Sequence, residues 1–328
     1  MVRQDGYRLR RRGLLAALGV VLAARAEAQS PARLAWIESG TASAAVARLA
    51  SMRAGLKENG LTEKDYVFDV FYADGDYQRF PALVQQALAR SPAILLVQTI
   101  ACVRAAQQGT KTIPIVFMAT NDPVGAGLID SLARPGGNTT GVATMGDQVL
   151  PKLVDTMHSA LPAVRRVAVL INPGNPTNRP IFEGIRAAAS TIGIETVAIE
   201  VASPEAIEGA LASPSAARSD AVIAALDAML VQIGGHTAQL CSDRRLALLG
   251  VTRELTDAGG LLSYGPSLDS LIRRSAYFVK RILAGARPQD LPAEQPTKFD
   301  LTINLKTAQA IGVTFPPNVL ALADDVIE

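Results

Sequence analysis

Residues 94–118 read ILLVQTIACVRAAQQGTKTIPIVFM, and this stretch decides the fold. Ile94 to Gln98 is a short apolar run, the pattern of a buried strand. Ile100 to Gln108 follows with helical spacing, and Ile113 to Met118 is a second strand carrying Pro114 near its start. A strand, a helix and a strand in such short order call for a right-handed crossover between parallel neighbours.

The unit repeats outward in both directions. Upstream, Leu34 to Glu38 reads as a strand and Thr41 to Asn59 as an amphipathic helix with Val46, Leu49, Met52 and Leu56 on one face, ended by Gly60. Val67 to Tyr72 is a strand and Tyr77 to Arg90 a helix. Downstream, Gly125 to Leu132 reads as a short helix, Arg134 to Asn138 as a turn, Thr140 to Ala143 as a strand and Gln148 to Ala160 as a helix. The pattern then restarts. Strands over Arg166–Ile171, Glu195–Val201, Ala221–Ala225 and Leu246–Val251 alternate with helices over Pro180–Ile192, Pro204–Ala212 and Met229–Arg244. A strand at Leu261–Tyr264, a long helix at Leu268–Ala284, a stretch punctuated by Pro288, Pro292 and Pro296, a strand at Phe299–Leu305 and short helices close the chain. Two such runs imply an α/β protein of two doubly wound, parallel-sheet lobes that share a hinge.

Composition agrees and excludes several classes. The chain has 328 residues, 49 % hydrophobic, with 32 Lys plus Arg against 30 Asp plus Glu, a formal charge of +2. The first 28 residues carry six arginines and two acids around an apolar run from Gly13 to Ala24, then Ala26-Glu27-Ala28. A basic segment, a twelve-residue apolar core and a small-residue cleavage pattern read as an export signal. Twelve residues are too few to span a bilayer, which needs about 20. Arg11-Arg12 resembles a twin-arginine signal, and the Sec route fits equally. Without those residues 26 basic and 28 acidic groups remain, net −2, so the basic footprint of a nucleic-acid binder is missing. No later stretch is apolar enough for stable membrane insertion.

In open α/β sheets ligands bind beyond the C-terminal ends of the strands. Those positions include Glu38-Ser39-Gly40, Asp74, Gln98-Thr99, Thr120-Asn121-Asp122, Asn172 to Asn175, Asp227, Thr252 and Ser263-Tyr264-Gly265. Helix N-termini there would favour an anion, and a carboxylate such as Asp74 or Asp227 a ligand ammonium. The same residue types are ordinary N-caps, so each position admits both readings. Catalytic templates fail in turn: no G-x-S-x-G, no H-E-x-x-H, no Walker A and no C-x-x-C. Two histidines and two cysteines, each without chemical neighbours in sequence, point to no metal, no cofactor and no enzyme.

Longer motifs carry a resemblance. Asn121-Asp-Pro-Val-Gly-Ala-Gly-Leu128, Leu132-Ala-Arg-Pro-Gly-Gly-Asn138, Gly259-Gly-Leu-Leu-Ser-Tyr-Gly-Pro266, Gln295-Pro-Thr-Lys-Phe299 and Ile303-Asn-Leu-Lys-Thr-Ala308 stand in the order of one family. The sequence resembles ABC transporter substrate-binding proteins related to tryptophan- and tyrosine-binding lipoproteins. It departs from them at Val97-Gln98-Thr99, where the family usually has two glycines before the threonine, and at Glu38.

The resemblance implies a type I periplasmic-binding-protein fold, two Rossmann-like lobes joined by a three-crossing hinge. Residues 1–28 would be the signal peptide, residues 31–145 plus 260–285 the first lobe, and residues 146–259 plus 286–328 the second. It implies a periplasmic, monomeric binding protein of an ABC importer. Its partners would be a permease and its ATPase, and its small-molecule ligand, an amino acid for example, would be held by hinge closure. On this mapping Ser39, Thr99, Thr120 and Asp122 contact the ligand from the first lobe. Asn175 and Asp227 contact it from the second, and Tyr264 walls the cleft. A hydrolase-type enzyme on a similar scaffold and a ligand-presenting sensor remain the competing readings.

Overall fold

The computed structural model describes residues 30–328; the expected signal peptide, residues 1–28, lies outside the described residues. The first run of elements is β1 (Ala32–Glu38), α1 (Ala42–Glu58), β2 (Tyr66–Tyr72), α2 (Phe80–Leu88), β3 (Ile94–Val97), α3 (Ile100–Gly109), β4 (Ile115–Asn121) and β5 (Thr139–Thr144). Its strands form one parallel sheet in the order β2-β1-β3-β4-β5. All four residues of β3 are buried, as a strand covered on both faces requires.

The second run is α4 (Gly146–Ala160), β6 (Arg166–Ile171), α5 (Asn178–Thr191), β7 (Glu195–Glu200), α6 (Ile207–Ala212), β8 (Ala221–Ala224), α7 (Ala228–Gln232), α8 (Gly234–Asp243), β9 (Ala247–Gly250), α9 (Arg253–Asp257) and β10 (Leu262–Gly265). After α10 (Leu268–Leu283) come β11 (Asp300–Asn304), α11 (Leu305–Ile311), α12 (Pro317–Leu320) and β12 (Asp325–Ile327). The second sheet runs β12-β11-β10-β9-β8-β6-β7, parallel except where β11 meets β10.

Each sheet is sandwiched between helices. The first is covered on one side by Phe80, Val84, Val103 and Ala106 of α2 and α3, and on the other by Met52 and Leu56 of α1 with Ile272, Phe278 and Val279 of α10. The second has Val154, Met157, Phe182 and Ile185 of α4 and α5 on one face and Leu211, Leu230, Cys241 and Leu255 on the other. The chain passes between the sheets three times, after Thr144, after Gly265 and between Glu294 and Asp300. Near the last crossing, Ala143 donates to the Glu294 carbonyl at 2.7 Å and Glu294 to that of Gly141 at 3.0 Å, which fixes this segment to the edge of β5.

α1 and α10 meet closely at Gly55, where a Cβ would lie 2.9 Å from that of Ala276 and closer still to the Arg273 carbonyl. Ser51 of α1 also bonds Asp269 of α10.

Four expectations change. Val46 is 67 % exposed on α1, whereas Met52 and Leu56 of the same expected face are fully buried. Gly125 to Leu132 is a chain of turns and not a helix: Asp122 at φ +36° and Gly127 at φ +65° break helical geometry, and Asp122 Oδ1 takes the Gly125 N–H. The helix expected over 229–244 is two, divided at Ile233. The strand carrying Ser263-Tyr264-Gly265 does not return to the first lobe. It pairs with β9 and, antiparallel, with β11, whose Leu301 lies opposite Tyr264; only the following helix, α10, packs on the first sheet.

Candidate functional site

The C-terminal ends of the two sheets face each other across a cavity of about 110 Å³. From the first sheet come Glu38 and Ser39 beyond β1, Gln98 and Thr99 beyond β3, and Ala119 and Asn121 at the end of β4. From the second come Asn175 and Thr177 beyond β6, and Leu226 and Asp227 beyond β8. α1 adds Ala44 and Arg48, and α10 adds Leu268 and Ile272. A second cavity of about 40 Å³ opens beside it toward the crossings and shares Asn121, Ile181, Leu226 and Leu268. Its own walls include Val149, Leu150, Ala225, Val251 and Pro266, and no lining residue is charged.

Two polar groupings organise the main cavity. Glu38, 1 % exposed, accepts from Arg48 Nη2 at 2.8 Å, from Arg48 Nε at 3.1 Å and from the Gly40 amide at 2.9 Å. The pair is bidentate, so a buried carboxylate sits here with its charge balanced. The second grouping crosses between the lobes. The Tyr77 hydroxyl, from the short 3-10 turn before α2, donates to Asp227 Oδ2 at 2.9 Å and accepts from Asn175 Nδ2 at 3.2 Å. Asp227 Oδ2 also takes the amides of Asn175 at 2.9 Å and Asn172 at 3.2 Å, and Oδ1 takes the backbone N–H groups of Met229 and Leu230 at the start of α7. Burial first, and the Asp227 charge second, hold the Tyr77 phenol well above its ordinary pKa, so it stays a donor.

The structure brings Ser39, Thr99, Asn175 and Asp227 to this cavity. Ser39 Oγ is buried with no partner. Thr99 sits at φ +63°, the strained backbone that a glycine would relieve, and its hydroxyl caps α3 by accepting from Cys102 at 3.3 Å. Asp227, one of two aspartates expected to suit a ligand ammonium, already has five donors on its two oxygens. Three expected residues stand outside the lining. β4 runs three residues further than its apolar core suggests, with an irregular register at Ala119 (φ +52°), and this turns Thr120 into the sheet beside Ala143. Asp122 is exposed and caps its own turn. Tyr264 stacks on Phe299 with ring centroids 6.2 Å apart.

Gln98, a strand-end position, lines the site as expected, whereas Tyr77 and Arg48 line it without having been foreseen. Tyr77 lies on the buried side of a helical stretch, and its partner is 150 residues away. Arg48 reaches back across ten residues to Glu38. Glu38 itself gave the only signal, as a charge where an apolar strand ends.

The chain belongs to the ABC transporter substrate binding protein family, matched over residues 41–327. It is 20 % identical over 259 residues to a tyrosine-binding protein of Clostridioides difficile, covering 79 % of this chain and 74 % of that one. Among solved structures it superposes on a conserved domain protein of Vibrio cholerae with TM-score 0.82 at 27 % identity, over 90 % of this chain and 99 % of that one. It superposes equally, TM-score 0.82 at 22 % identity over 91 % and 100 %, on an ABC domain from Streptococcus pneumoniae in complex with L-Trp. The family is one of substrate-binding proteins and not of enzymes. Among the described residues no helix is long and apolar enough to cross a membrane.

Proposed function

We propose that this member of the ABC transporter substrate binding protein family captures a small solute between its lobes in the periplasm. It then delivers the solute, as a monomer, to a membrane permease driven by an ATPase. The observation that carries the reading is the cavity itself. It is walled by the C-terminal ends of both sheets and held shut by a buried bond from Tyr77 of one lobe to Asp227 of the other. A site built half from each lobe is complete only when the lobes close, so a ligand that touches both halves shifts the hinge toward closure by its differential affinity. The three crossings are the hinge. The arginine-rich segment before residue 29 supplies the export address.

Relatives with L-Trp or tyrosine in their descriptions support an amino acid as the first candidate ligand. A thermal-shift screen of amino acids and related small acids tests the reading. A true ligand at 100 times its Kd stabilises by about 2.7 kcal/mol. Small-angle scattering should then show the protein contracting on binding, whereas binding without contraction would overturn hinge closure.

A further inference from the structure

We propose that the ligand's recognised head is a carboxylate, that its body is uncharged and apolar, and that it needs no ammonium. This rests on the interlobe reading above and narrows it to apolar monocarboxylic acids.

Several polar groups in the lining are still free. Ser39 belongs to the cavity lining, is 2 % exposed, and its buried hydroxyl has no partner among the described residues. Arg48 gives Nε and Nη2 to Glu38, and its Nη1 makes no bond among the described residues. The Gln98 amide likewise makes no side-chain bond there, and the Thr99 hydroxyl accepts from Cys102 but still has its own proton to give. Beside them begins α3, ten residues long, with its positive dipole end at the cavity. Ser39, Gln98 and Thr99 lie at the ends of β1 and β3, and Arg48 reaches the end of β1 from α1 through Glu38. What they have in common is hydrogens to donate.

The carboxylate and asparagine acceptors of the lining are spent. Glu38 holds three donors and Asp227 five. Asn121 Oδ1 takes the Gly146 N–H at 2.9 Å and the Thr144 hydroxyl at 3.2 Å. Asn175 Oδ1 takes both donors of Thr177. An ammonium entering here would meet no uncommitted carboxylate, whereas a carboxylate would meet a guanidinium nitrogen, two hydroxyls and a helix N-terminus. The Asp227 charge opposes an anion least there, because five donors spread it on the other lobe. Beyond the head, the second cavity presents Val149, Leu150, Ala225, Val251 and Pro266, a wall that would leave any charged tail unpaired.

Calorimetry on the exported chain with matched probes tests this: L-phenylalanine, 3-phenylpropanoate and 2-phenylethylamine, and L-leucine, 4-methylpentanoate and 3-methylbutylamine, with pentanedioate as a doubly charged acid. The acids should bind within about tenfold of the amino acids, and the amines and pentanedioate at least about a hundredfold more weakly. Ser39→Ala should weaken the acids about tenfold and leave the unliganded melting temperature unchanged or higher, since it removes an unpaired buried hydroxyl. Ile181→Trp, filling the wall shared by both cavities, should abolish binding. If the amines match the acids, if loss of the amino group costs more than about a hundredfold, or if no acid binds, the head-group assignment is overturned. Binding of the acids that Ser39→Ala and Ile181→Trp both leave untouched overturns the interlobe reading instead.

Discussion

Tyr77→Phe removes one oxygen from the bond that spans the cleft. That oxygen lies 2.9 Å from Asp227 Oδ2, and both residues are buried. A hydrogen bond to a charged group contributes about 1.5–3 kcal/mol. Phenylalanine keeps the ring contact with Phe80, whose centroid is 5.2 Å away, so the packing within the first lobe survives. The loss therefore falls on the closed state alone. At 1.4 kcal/mol per factor of ten, closure becomes roughly 10- to 150-fold less favourable. Where the open form dominates the free protein, apparent ligand affinity drops by the same factor. Titration calorimetry with the screened ligand reads this directly, and the unliganded melting temperature should stay put. The pH dependence follows from the same bond. The phenol's pKa in the closed form is raised above its ordinary value of 10.0, so the contribution is complete below that value and fades as pH rises through the closed-state pKa. Affinity should be flat from about pH 6 to 9 for a ligand that does not titrate there. Wild-type affinity in Tyr77→Phe would refute the latch.

Other expectations concern the frame around the cleft. Arg48→Ala strands a carboxylate that is 1 % exposed and should cost about 3 kcal/mol, read as a lower denaturation midpoint; adding Glu38→Gln should restore part of it. Gly55→Val drives a side chain into α10 and should cost about 1–3 kcal/mol, a fall of several degrees in Tm, while Gly209→Ala, with open space around it, should not lower Tm. Burial pushes the Cys241 thiol up to about 12 and the Cys102 thiol higher still. Neither should react with a disulfide reagent at about pH 8 until the chain is denatured, because the thiolate is the reactive form.

How much of this is visible in the sequence depends on range. Runs such as Ile94 to Val97 and the helix after Leu268 show their elements because apolar period and length are local properties. Pairing across the molecule is not local. Ser263-Tyr264-Gly265 looks the same whether it joins the first sheet or the second; the antiparallel return of Asp300–Asn304 decides it, and no residue of the strand announces that partner. Thr120 failed for a related reason: the irregularity at Ala119 lets β4 run on, and a residue expected beyond the sheet ends inside it. The cleft was half legible. Strand ends name Ser39, Thr99, Asn175 and Asp227, because they follow from topology. Tyr77 and Arg48 enter sideways, from a turn and a helix flank, and only three-dimensional closure brings them to the site.

The most direct measurement is a crystal structure of the protein with the ligand found by screening. One molecule should lie in the cavity between β1, β3, β6 and β8, its head on Ser39 and Thr99, its body reaching Ile181 and Leu226, and Tyr77 still bonded to Asp227. A ligand seated on one lobe only, or outside this cavity while Tyr77 and Asp227 stand apart, would contradict it.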